Sequence, residues 1–173
     1  MVRLEEATEK DLPLMMAWRS NPLVYQGFFQ QNAPLDWDEH VKWFRSRNQD
    51  WRTFIAWLRI EPFPPFSNCE DYDRPIGVVT IGQLDHWSPE IGYYIGEVSL
   101  WGHGFGKMVV KEGIKWLQGY IKQHPHIEAV HTTVLKNNKR SVSLLKGLGF
   151  ERMAEARKDE IWMSRGINAL SQE

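Results

Sequence analysis

The sequence predicts an α/β fold, with about seven strands in one sheet and helices set between them, folded as a single domain over residues 1–173. Three observations predict it. The first is Glu90-Ile91-Gly92-Tyr93-Tyr94-Ile95-Gly96, a run of strand formers that ends in glycine. The second is the helical spacing of Val109, Val110, Gly113, Ile114, Leu117 and Ile121, directly after the turn Trp101-Gly102-His103-Gly104-Phe105-Gly106-Lys107. The third is composition: 42% hydrophobic and 25% charged residues are the proportions of a globular domain that can bury a core.

Val2 to Ala7 reads as the first strand. Thr8 is an N-cap with acidic residues in the turn after it. Leu12, Met15, Met16 and Arg19 follow at helical spacing until Asn21-Pro22, where proline stops the helix. Gly27 to Ala33 is polar and aromatic and reads as a mobile loop. Asp36 caps a second helix, Trp37 to about Asn48. Trp51 to Ile60 alternates as a strand. Glu61 to Asp73 breaks the period with Pro62, Pro64, Pro65 and the acidic Glu70, Asp71 and Asp73, which makes 60–74 a long hairpin insertion. Arg74 to Gly82 is a third, central strand; His86 to Pro89 is a turn; Glu90 to Ile95 is the fourth strand. In His126 to Leu135, the fifth, Val130, Thr132 and Val134 alternate against His131 and Thr133. Asn138 to Lys146 is a short helix ended by Gly147 and Gly149. Phe150 to Ala156 and Asp159 to Ile167 close the sheet as a strand pair, and 168–173 is a frayed tail.

The glycines at 102, 104 and 106 lie between a strand and a helix. Glycine allows positive φ and close approach of a ligand to bare backbone. Successive N–H groups that open onto a helix N-terminus form a concave anion site, and phosphate or pyrophosphate is the anion such a site suits. The dinucleotide fingerprint needs G-x-G-x-x-G, whereas this run is G-x-G-x-G. The nucleoside-triphosphate loop needs a hydroxyl after Gly-Lys, and here Met108 follows Lys107. A kinase loop would be followed by metal and catalytic-loop motifs, which are missing.

A formal net charge of −1 gives no global field to recruit nucleic acid or a membrane surface, so neither is expected as a partner. No apolar run is long enough to span a bilayer, and Met1 to Glu6 lacks an apolar signal core. The single Cys69, a passive loop residue, fits a reducing compartment, so a cytoplasmic location is expected. The six His show no ligand spacing, and no metal is expected.

The run Trp101-x-x-Gly104-x-Gly106 resembles the acyl-CoA pyrophosphate loop of the GNAT superfamily of N-acyltransferases, [R/Q]-x-x-G-x-[G/A], in its Trp-Gly-x-Gly form. Trp101 departs from the usual Arg or Gln. Downstream, Asn138-Lys139-Arg140-Ser141 and Lys146-Gly147-Leu148-Gly149-Phe150 resemble the N-x-x-[SA]…K-x-x-G-F helix of that family. The order β-α-α-β-β-β-α-β-α-β-β is also the GNAT order. The resemblance implies a mixed sheet splayed between its fourth and fifth strands, helices on both faces, and pantetheine inserted in the gap. Trp18-Arg19-Ser20-Asn21-Pro22 and Glu39-His40-Val41-Lys42-Trp43-Phe44 resemble segments of GNAT enzymes that acetylate amino-sugars, such as those of the pseudaminic-acid pathway. Read from residues alone, Trp43 and Phe44 are core and His40 is a surface residue, with substrate ligand as its alternative.

The implied reaction is acetyl transfer from acetyl-CoA to a primary amine of a small molecule, an amino-sugar or aminoglycoside, by direct attack in a ternary complex. Protein N-terminal or ribosomal-protein acetylation is the second reading, and a non-catalytic acyl-CoA-binding module the third. Backbone groups of Ile95 and Gly96 would pair with pantetheine. The N–H groups of Trp101, Gly102, His103, Gly104, Phe105, Gly106 and Lys107 would hold pyrophosphate, and Asn138 and Ser141 the pantetheine arm. Glu90 is the expected base, because the family often carries a carboxylate at this level of the fourth strand; period two sets it on one face with Gly92 and Tyr94. Glu97, His86 and Tyr94 are weaker candidates. The family's tyrosine acid, seven residues after the asparagine, is here Leu145, so that role does not carry over. The loop after Gly27 would face the acceptor, and Trp18, Phe28, Trp37 or Trp87 would wall its pocket. The acidic insertion is open between a solvated surface, a lure for a cationic amine and a contact to a second subunit; a homodimer is a family-level expectation.

Overall fold

The computed structural model describes residues 1–28, 31–61, 71–157 and 159–167. Cys69, Glu70 and most of the 60–74 insertion lie outside the described residues, as does the 168–173 tail. The strands are β1 (Val2–Glu6), β2 (Arg52–Ile60), β3 (Tyr72–Gly82), β4 (Glu90–Ile95), β5 (Ala129–Leu135), β6 (Glu151–Arg157) and β7 (Glu160–Gly166). The helices are α1 (Leu12–Arg19), α2 (Pro22–Tyr25), α3 (Trp37–Arg45), α4 (Phe105–Tyr120) and α5 (Lys139–Lys146). The sheet order is β1-β2-β3-β4-β5-β7-β6.

The sheet is mixed and opens where the order of elements implied. β3 and β4 pair antiparallel from Gly77↔Ile95 to Gly82↔Glu90. β4 and β5 run parallel and register at Glu90↔His131 alone. Beyond that point the two strands diverge, leaving unpaired backbone on both sides of a gap.

Each face is closed by the element whose apolar stripe fits it. α4 buries Val109, Val110, Ile114 and Leu117 against one face, in a cluster with Val79, Ile91 and Val130. Full burial of each large side chain is worth about 1.5–3 kcal/mol. On the other face, Met15 and Trp18 of α1 pack with Ile55 and Val78, and Trp43 and Tyr94 lie against them. The alternation of β4 follows: Ile91 and Ile95 are buried toward α4, and Tyr94 joins the α1 side.

Four boundaries differ from the sequence reading. Pro22 ends nothing: α1 stops at Arg19, and Pro22 opens α2. Asn21 caps that turn by accepting from the Leu23 N–H at 3.0 Å, and proline at the first helical position loses no hydrogen bond. α3 ends at Arg45, short of Asn48, because the Ser46 hydroxyl donates to the Trp43 carbonyl at 2.8 Å and Asn48 accepts from the Asp50 N–H at 3.1 Å. β5 starts at Ala129; His126 lies before it. β3 starts at Tyr72, inside the expected loop. There Asp73 pairs with Arg3 at 3.0 Å and Arg59 at 3.6 Å, and Asp71 with Arg59 at 3.0 Å. These two carboxylates stabilise the edge of the sheet across strands and are not free to attract an amine. The strand thus gains Tyr72 and Asp73 ahead of the expected Arg74, and Pro75 stands beside a register shift between Ala56 and Trp57.

Candidate active site

The glycine loop turns bare backbone toward open space. Gly102 and Gly104 adopt φ of 85° and 86°, a region that other residues enter at a cost. A side chain at either would meet nothing within 4 Å, so the loop faces open space. Among the described residues, the N–H groups of Gly102, His103, Gly104, Phe105 and Gly106 make no hydrogen bond. They open onto the N-terminus of α4, whose dipole adds positive potential. The loop is narrower than expected: the Trp101 N–H donates to the Val98 carbonyl at 3.0 Å and that of Lys107 to the Gly104 carbonyl at 3.0 Å. The Trp101 indole explains its departure from Arg or Gln. Its Nε1 donates to the Ile95 carbonyl at 2.9 Å, tying the loop to the end of β4, and Arg140 stacks on its ring at 5.0 Å.

The gap between β4 and β5 offers backbone with a particular polarity. The Gly96 N–H donates to the Ile76 carbonyl at 2.9 Å, away from the gap. Alternation then turns the backbone groups of Tyr93 and Ile95 toward it. Tyr93 and Ile95, and not Gly96, therefore present backbone to the gap, with the Ile95 carbonyl already accepting from the Trp101 indole. Asn138 caps α5, its Oδ1 accepting from the Ser141 N–H at 3.1 Å, which leaves its amide nitrogen facing Gly27. Leu145 is fully buried in the core. The Tyr93 hydroxyl is buried without a well-aligned hydrogen bond; Ser141 stands beside it, and burial pushes the phenol up.

Gap and loop open into one cleft of about 1650 Å³ that continues to the opposite face of the sheet. A pocket for one drug-sized ligand takes roughly 300–1,000 Å³, so there is room for two reactants. Glu90 lines the cleft together with Tyr94, Arg19, His40 and Arg47. Glu97 is engaged elsewhere: it accepts from the Trp18 indole at 3.2 Å and pairs with Arg74, and His86 is exposed. The Tyr94 hydroxyl is buried and has no partner among the described residues, and its phenol is pushed far up by burial.

His40 corrects the reading of a surface residue. It is 5% exposed, its Nε2 has no partner among the described residues, and its ring stacks on Trp43 at 5.6 Å. Phe28 lines the cleft as expected, but Trp18 is buried beneath Gly96, and Trp37 and Trp87 are exposed outside the cleft. Trp43 and Trp51 take their place. Arg47 was not legible as a site residue: nothing in Ser46-Arg47-Asn48 marks it, and it reaches the cleft through the turn from α3 into β2.

Burial pushes His40 and His131 below 6.5, with Arg19 lowering the first further and Glu90 partly opposing the second. Both are therefore neutral in the folded state at pH 7. Below pH 6.5 the unfolded chain takes up protons that the native state refuses, so stability present above that pH is lost as pH falls. Thermal melts are expected to show a lower Tm at pH 5.5 than at 7.5, and His40→Phe should narrow the difference. The shifted carboxylates, Glu9 and Asp73, lie below 4.5 and act outside that window. A flat profile would contradict the burial of neutral imidazoles.

The model of the acetyltransferase (GNAT) domain family matches residues 2–151. An uncharacterized protein of Methanocaldococcus jannaschii is 40% identical over an alignment of 161 residues that covers 91% of this chain and 29% of that protein. The chain thus spans less than a third of this curated relative. The crystal structure of a domain from the same organism superposes with a TM-score of 0.83 at 35% identity, covering 96% of this chain and 98% of that one. Spermidine N-acetyltransferase from Vibrio cholerae, solved with CoA and spermine, superposes with a TM-score of 0.74 at 17% identity over 95% of each chain. With the family model matched over most of its length, on a sheet that opens beside a glycine loop, the chain belongs to the GNAT acetyltransferase family.

Proposed function

We propose that this domain transfers an acetyl group from acetyl-CoA to the primary amine of a small molecule of the amino-sugar class, by direct attack in a ternary complex. The observation that carries the reading is the run of five unpartnered N–H groups, Gly102 to Gly106, beside a gap that leads to Glu90. The loop would hold the pyrophosphate of CoA, with Lys107 exposed at its rim. Tyr93 and Ile95 would pair with pantetheine as an added strand, and the Asn138 amide nitrogen would donate to it. These groups suit a substrate that supplies the thioester.

Glu90 is the group to accept the ammonium proton, directly or through water. A lysine-like amine near pKa 10.4 is neutral in about one molecule in 10³ at pH 7, so a base on the chamber wall raises the reactive fraction. The departing thiolate, near pKa 8.5 by analogy with cysteine, needs little help. Ser141 and Tyr93 line the same cleft as Leu145, which has no proton to donate, and would be the hydroxyls available there.

The test is calorimetry with CoA beside thiol release from acetyl-CoA, run against amino-sugars, aminoglycosides, polyamines and peptides with free N-termini. CoA binding with turnover of an amino-sugar is expected. Absence of CoA binding would overturn the reading of the loop. Turnover confined to peptides would replace the small-molecule acceptor by a protein N-terminus.

A further inference from the structure

The acceptor end of the cleft carries the wrong charge for a polycation. Two guanidinium groups reach it, on the sheet face that holds Glu90, and each is prepared in a particular way. Arg47 stacks on Trp43 at 4.3 Å and on Trp51 at 3.9 Å. Its Nε is buried without a partner, and among the described residues its guanidinium has no hydrogen bond or ion pair. Trp51 is itself fixed: it lies flat on Gly82, where a Cβ would meet its ring at 2.3 Å. Arg19 stacks on Phe28 at 4.0 Å. Its Nε donates to Gln31 Oε1 at 2.8 Å, and the Gln31 amide in turn donates to the Arg19 carbonyl at 2.6 Å and to that of Ala33 at 3.0 Å. That clamp orients the fork and leaves its two terminal nitrogens without a hydrogen bond among the described residues.

Rigid, partly desolvated arginine forks are suited to phosphate or carboxylate, which they bind bidentately. Burial disfavours the charge on both groups, and Glu90 partly offsets this for Arg47 without forming an ion pair. An anion from the ligand would restore what burial removes. Among the described lining residues, Glu90 and Glu160 are the carboxylates, set against Arg19 and Arg47 here and Lys107, Lys139 and Arg140 at the phosphate end. A polyamine would find one carboxylate and two cations at the acceptor end.

We propose that the acceptor is an amine that also carries an anionic group, phosphate or carboxylate, held by Arg47 and Arg19 while its amine faces Glu90. This deepens the acetyltransferase reading and rests on it. It also separates this chamber from one built for spermidine.

The experiment compares a matched pair, glucosamine and glucosamine 6-phosphate, with spermidine as the polycation. Each is titrated calorimetrically into CoA-saturated protein and then assayed by thiol release from acetyl-CoA. The phosphorylated amine is expected to bind at least tenfold tighter than the neutral one. Arg47→Gln should abolish most of that preference through KM, with CoA affinity unchanged, which also shows that the variant folds. Arg47→Lys should restore part of it, because the charge returns without the fork. Equal behaviour of the matched pair, including no binding of either, would overturn the proposal, as would tighter binding of spermidine. Failure of the wild-type protein to bind CoA overturns the acetyltransferase reading instead, and the same titrations without CoA still measure the anion preference.

Discussion

Glu90→Gln is expected to lower kcat/KM at pH 7 by about 10²-fold or more while CoA affinity stays unchanged. The substitution keeps shape and hydrogen-bonding capacity but removes the group that takes the proton. The loss should fall on kcat, because proton removal belongs to the chemical step. It should also shrink as pH rises: once the amine in solution is largely neutral, a base on the wall adds little. The competing role for Glu90 is electrostatic. Its charge acts on Arg47 and on His131, and β4 and β5 come together at this residue. A purely structural carboxylate would give a fall in Tm with a pH-independent loss of rate. A loss of less than about threefold across the pH range would remove Glu90 from the chemistry.

The parts legible in the sequence are those whose physics is local. Gly102 to Lys107 could be read as a left-handed turn into a helix start because the glycines and the apolar period stand in consecutive residues. The faces of β4 followed from period two, which set Glu90 with Tyr94 and away from Ile91. The gap between β4 and β5 came from the order of elements by resemblance, and the single register pair Glu90↔His131 bears it out. Illegible were the features made by distant parts of the chain meeting. His40 looked like part of a solvated face, since Glu39 and Lys42 flank it, yet α3 packs against α1 and buries it beside Leu12. Arg47 becomes a cleft residue because Trp51 rests on Gly82, a strand away. The resemblance pairs the backbone groups of Gly96 with pantetheine, but one residue of register decides which way they point, and Ile76 takes the Gly96 N–H. Asp73 looked like loop until Arg3 and Arg59 were found across the strands.

Gly104→Val is expected to weaken CoA binding by about ten- to a hundredfold while the fold survives. At φ 86° a β-branched side chain is strongly disfavoured. Holding it there costs about 1–3 kcal/mol, and each 1.4 kcal/mol is about tenfold in affinity. No steric clash contributes, because a Cβ at Gly104 meets nothing within 4 Å. The strain therefore has two outlets. If the backbone relaxes toward negative φ, the N–H groups of 102–106 no longer converge and CoA binding weakens while Tm changes little. If the loop stays in place, Tm falls and CoA, which binds the native state alone, restores much of it. Measuring CoA affinity and Tm together separates these outlets. Gly119→Ala supplies the control: it lies in the same helix, also in open space, and should leave CoA affinity unchanged because its backbone is already helical. Undiminished CoA affinity in Gly104→Val would mean that the phosphates are held by side chains such as Lys107, and that the left-handed turn serves the entry to α4 rather than the ligand.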